Sequence, residues 1–139
     1  MLTHDYTIIC EHARLEMSGR WTLIGVLNDN KIATPMIPFP LPVLTFFHVL
    51  RTDAPTQLKF TATLSELTTG NRLAQAQGIV PALQAGSVYM QLAVGNLQFK
   101  AFGIYNWSLD IEGHAEPFLT EFSVIHQPQQ FRVVPPPRS

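Results

Sequence analysis

Apolar and polar residues alternate along much of this chain with the period of two that a strand with one wet face requires. The clearest set is Leu58, Phe60, Ala62 and Leu64, set between Gln57, Lys59, Thr61, Thr63 and Ser65. Thr69-Gly70-Asn71 supplies residues that tolerate positive φ for a reversal, and residues 72–80 return as the hairpin partner. Val88, Met90, Leu92 and Val94 alternate again, with a bulge or turn predicted at Gly95-Asn96. Tyr105, Trp107, Leu109 and Ile111 form a further set, and residues 118–125 a last strand with Phe122 and Val124 on one side and Ser123 on the other. Near the start, residues 7–11 and 21–27 are β-branched and apolar and read as an opening strand pair. The prolines at 35, 38, 40 and 42 withdraw donors and fix φ, so residues 31–42 are predicted as an extended connection outside any ladder. It leads into the apolar run 43–51.

This pattern predicts an all-β chain, an immunoglobulin-like antiparallel β-sandwich of about seven to nine strands, with a small β-barrel as the alternative. Residues 1–126 read as one sandwich domain, and residues 127–139 as a Pro/Gln-rich extended tail ending in Pro135-Pro136-Pro137.

Composition narrows the function classes. The chain has 139 residues, 46% hydrophobic and only 14% charged, enough to build a core and poor in the charge that keeps a chain disordered. A net charge of -1 lacks the basic field that phosphate neutralisation needs, so nucleic acid is not the expected partner. Cys10 stands alone and cannot form an internal disulfide, which fits a reducing compartment. No apolar stretch has membrane-spanning length, and the start shows no leader pattern. The expectation is a cytoplasmic protein without a membrane partner.

The segment Cys10-Glu11-His12-Ala13-Arg14, followed by Gly19-Arg20-Trp21-Thr22-Leu23-Ile24-Gly25-Val26, resembles the opening of a family of small bacterial proteins of unknown function. Phe102-Gly103-Ile104-Tyr105 through Asp110 to Gly113 is similar to that family's penultimate strand, although Ile111 and Glu112 here separate the Asp from the Gly of its turn. The resemblance implies an immunoglobulin-like sandwich and carries no activity and no site residues.

Candidate chemistry is sparse. Cys10 and His12 lie two apart in a predicted strand, so both side chains would share a face and could hold a metal or form a thiolate–imidazole pair. The alternative is a buried Cys beside a hydrogen-bonded His. His4, His48, His114 and His126 are scattered and read as surface or edge residues. Asp110, Glu112, Glu116 and Glu121 gather late in the chain without the ligand spacing of a calcium loop, which favours a solvated edge. No nucleophile elbow, phosphate loop or dinucleotide turn is present, so neither an enzyme activity nor a cofactor is expected. Met36, Ile37, Phe39 and Leu41, set between prolines, could form a stiff partner-binding loop or fold back to cap the core. The leading expectation is a non-catalytic interaction or structural domain that self-associates. The alternatives are a metal- or thiol-dependent enzyme centred on Cys10 and His12, and a small-molecule carrier.

Overall fold

The computed structural model describes residues 1–127 and residue 137. Ten strands follow one another: β1 (Leu2–Cys10), β2 (His12–Leu15), β3 (Trp21–Ile24), β4 (Lys31–Thr34), β5 (Phe39–Thr52), β6 (Thr56–Glu66), β7 (Arg72–Ala82), β8 (Gly86–Phe99), β9 (Gly103–Ile111) and β10 (Phe118–His126). A short 3-10 turn at Asn28–Asn30 leads into β4. The predicted tail lies outside the described residues except for its first residue, Gln127, and Pro137.

Three strands in the order β1-β5-β8 face five in the order β4-β10-β9-β6-β7, and β2-β3 is a separate hairpin. Among the described residues each large sheet ends in strands paired on one side only, so the fold is a sandwich and not a closed barrel. The β10-β9-β6-β7 order matches the G-F-C-C′ sheet of an immunoglobulin variable domain, and β1-β5-β8 matches A-B-E. Tyr105, near the start of β9, donates its hydroxyl to the carbonyl of Ala101 at 2.7 Å. This is the tyrosine corner that such sandwiches place at the start of strand F. All pairings are antiparallel except β4 with β10, which is parallel. Parallel neighbours need a long crossover, and here nearly the whole domain separates the two strands.

The alternating sets face one another as the period-two pattern requires. Leu58, Phe60, Ala62 and Leu64 of β6 and Tyr105, Trp107, Leu109 and Ile111 of β9 are all buried in the core between the sheets. Phe46 of β5 stacks on Trp107 with ring centroids 3.9 Å apart, and Phe122 of β10 lies beside both Phe46 and Tyr105. Rings of this size dominate such an interior because each removes a large apolar area from water.

β5 is apolar without alternation, and the structure supplies the reason. Leu44, Phe46 and Leu50 face the core between the sheets, while Phe47 and Val49 enter a second cluster with Cys10 and Ala13. Trp21 and Leu23 of the β2-β3 hairpin pack over that outer cluster. A strand buried on both faces needs no polar positions.

Two local expectations are corrected. Residues 7–11 and 21–27 do not share a strand ladder, although backbone hydrogen bonds from Glu11 to Ile24 and Gly25 and from Leu27 to Ile9 join them. β1 pairs with β5 across Leu2↔Thr52 to Cys10↔Thr45, and β3 pairs with β2. Residues 31–42 are not wholly outside the ladders either. β4 joins β10, and β5 already begins at Phe39, with Phe39↔Phe99, Pro40↔Gln98 and Leu41↔Leu97. The prolines are tolerated there because β1 covers β5 only from Thr45 onward, leaving the early residues paired on one side alone.

Candidate functional site

The densest polar arrangement inside the molecule centres on His48, which β5 inserts into the core with no exposed surface. Its Nε2 accepts the indole N–H of Trp107 at 2.9 Å. An indole nitrogen can only donate, so Nε2 carries no proton and the neutral ring holds its hydrogen on Nδ1. That Nδ1–H donates to Thr7 Oγ1 at 2.7 Å, and the Thr7 hydroxyl is also hydrogen-bonded to His4 Nε2 at 2.8 Å. His4 Nε2 also lies 3.3 Å from His48 Nδ1.

A bulge brings His4 and Thr7 together. Residues three apart on a regular strand face opposite ways, but the β1-β5 register shifts between His4 and Tyr6, so one extra residue restores a shared face. His4 stacks on Phe118 at 4.7 Å, and His114 packs on the same ring at 4.6 Å. Three histidines scattered in sequence are thus gathered around one end of the sandwich.

Burial sets the electrostatics. His48 is held down to about 3, first by desolvation and then by the neighbouring His4. His4 is also lowered by burial, with the Asp5 carboxylate opposing the effect. An imidazole with a pKa near 3 is a weak base at neutral pH and is poorly matched to general acid–base transfer. What the chain of groups does well is satisfy buried polar atoms, since the Trp107 indole and the His48 Nδ1–H each meet an acceptor. Reading His48 as a surface or edge residue was therefore wrong. The available signal was its place inside an unbroken apolar run, where a polar side chain must find partners within the fold.

The other candidate residues are not drawn together. Cys10 ends β1, fully buried under the hairpin, while His12 opens β2 and is exposed. The chain bends at Glu11 between them, so the shared face implied by their spacing is not formed. Burial pushes the Cys10 thiol up, partly offset by the backbone N–H of His12. Among the described residues, no group of three or more His, Cys, Asp or Glu side chains is placed to hold a metal ion. Of the late acidic residues, Glu112 lies 3.6 Å from Lys59, both exposed. Met36 is 65% exposed at the turn before β5, and Ile37 is half-buried beside it. Phe39 and Leu41 pack against the core. The loop thus caps with two of its apolar residues and presents one.

Two of the clefts among the described residues lie at opposite rims of the sandwich. One, of about 470 Å³, is bordered by the β5-β6 turn and by residues 111–115 after β9. The other, of about 380 Å³, lies at the opposite end near Glu66, Arg72, Lys100 and Tyr105. Both mix polar and apolar lining. No helix among the described residues is long and apolar enough to cross a membrane.

Sheet order, tyrosine corner and a closed internal polar chain together define an immunoglobulin-like β-sandwich domain. The chain belongs to a family of unknown function, DUF6941, whose pattern matches residues 5–120. Comparison with curated proteins gives no match. Among solved structures, it is similar to a β-glucosidase from Listeria innocua in complex with isofagomine. The identity is 8% and the TM-score 0.48, over 71% of this chain and 15% of that one. The same enzyme in complex with glucose gives 8% identity and a TM-score of 0.47, over 68% of this chain and 14% of that one. This chain therefore spans about one-seventh of the length of those enzymes.

Proposed function

We propose that this chain is a non-catalytic interaction domain that associates with itself. The observation that carries this reading is the combination of open sheet edges with a low density of charge. Among the described residues both large sheets end in strands paired on one side only, and just 14% of the residues are charged. Unpaired strand edges are templates for another strand, and charge is the usual device that blunts them. The internal chemistry supports the same reading, because His4, Thr7, His48 and Trp107 use their hydrogen-bonding groups on one another. The buried Cys10 thiol, shifted away from its reactive form, is likewise suited to packing. Closed two-fold dimers are the commonest outcome for such a surface. Light scattering coupled to size-exclusion chromatography tests the proposal. The expected species at tens of micromolar has twice the 15.6 kDa chain mass or more, and a monomer across that range would refute it.

A further inference from the structure

We infer that a second copy of this chain adds to the outer edge of β7, antiparallel and two-fold about Ala76, joining the two five-stranded sheets into one. This rests on the self-association reading and names the surface that it uses.

Comparing the four sheet edges selects β7. β1 is bulged between His4 and Tyr6 and carries the Asp5–Arg51 ion pair. β4 is four residues long, begins at Lys31 and is followed by the prolines of residues 35–38. β8 is distorted by a positive φ at Asn96, and the hairpin reaches it where Gln91 donates to the Ala13 carbonyl and Trp21 meets Tyr89. Bulges, brevity, charge, proline and covering are the devices by which sheets protect their edges. β7 is bulged only at its start, at Leu73, and has none of them along residues 74–80, Ala-Gln-Ala-Gln-Gly-Ile-Val, which contain no charge and no proline. From Ala74 to Ala82 it pairs with β6 in unbroken register. No strand among the described residues pairs with its other side.

The same sequence is its own complement, which points to a second copy rather than a foreign strand. In antiparallel pairing, facing residues share a side of the sheet only when the two-fold axis passes through a residue position. About Ala76, Gln75 faces the copy's Gln77 on the exposed side and Ala74 faces Gly78 on the other. Amide meets amide and small meets small, and no like charges are opposed. The bulge at Leu73 bounds the ladder at one end and Pro81, with no N–H to give, at the other.

The test uses two double variants at exposed positions of the full chain. Gln75→Lys with Gln77→Lys sets lysine against lysine twice across the axis, whereas Gln75→Lys with Gln77→Glu sets lysine against glutamate twice. Sedimentation velocity over a concentration series should give a dissociation constant about tenfold higher than wild type for the first variant, and close to wild type for the second. Circular dichroism confirms that each is folded. A wild-type monomer would overturn both the pairing and the self-association on which it rests. A wild-type dimer that both variants form equally well would overturn the β7 pairing alone. Equal weakening in both would overturn the two-fold register.

Discussion

Replacing His48 tests the electrostatic argument most directly. The folded chain holds this imidazole at about 3, against about 6.5 for an ordinary histidine. Between those values the unfolded chain binds a proton that the folded chain refuses, so stability falls as the pH drops below 6.5 and levels off near 3. The slope is about 1.4 kcal/mol per pH unit, which amounts to roughly 2.5 kcal/mol between pH 7 and pH 4.5. His48→Gln keeps an acceptor near the Trp107 indole and cannot titrate. His48→Leu removes the acceptor as well and leaves a buried donor unpaired, at a further cost of about 1–3 kcal/mol at any pH. Urea unfolding at pH 7 and pH 4.5, followed by tryptophan fluorescence, gives both quantities. His4, Asp53 and Glu16 also lose stability as the pH falls, but all are common to the three proteins, so they cancel in the difference. If His48→Gln loses as much stability as wild type between the two pH values, His48 does not stay neutral in the fold and the tautomer assignment fails with it.

Further substitutions probe single features. Tyr105→Phe removes the hydroxyl that binds the Ala101 carbonyl and should lower unfolding stability by about 1 kcal/mol, with the fold unchanged by circular dichroism. Gly78→Ala would place a methyl 3.2 Å from the Phe60 ring, so the melting temperature should fall, by an amount corresponding to about 1 kcal/mol of overpacking. Unchanged stability would mean that the ring moves freely. Cys10 should react with a thiol reagent only slowly in the native protein and promptly in denaturant, because the thiol is buried and its ionisation suppressed. Prompt native reaction would show that the hairpin opens readily over it.

How much was legible in the sequence follows from how far each signal reaches along the chain. Period-two alternation is local, so the strands from β6 to β10 and their core residues could be read from the residues themselves, as could the reversal at Gly70. The candidate site was not legible. His4, Thr7, His48 and Trp107 belong to three strands, and their meeting depends on which strands are neighbours and on one bulge that shifts the facing of β1. The same limit explains the misplaced opening pair. Local apolarity marked residues 7–11 and 21–27 as strands but could not show that β1 prefers β5, whose two apolar faces need a sheet partner and a covering hairpin at once. It also explains the Cys10–His12 spacing, which held only for a strand that ran straight through Glu11. By itself the sequence determined the fold class, the core faces and the scarcity of charge, because each is set within a few neighbouring residues. The tertiary structure decided which polar groups are buried together and which strand edge stays open, because both are fixed by contacts between distant segments.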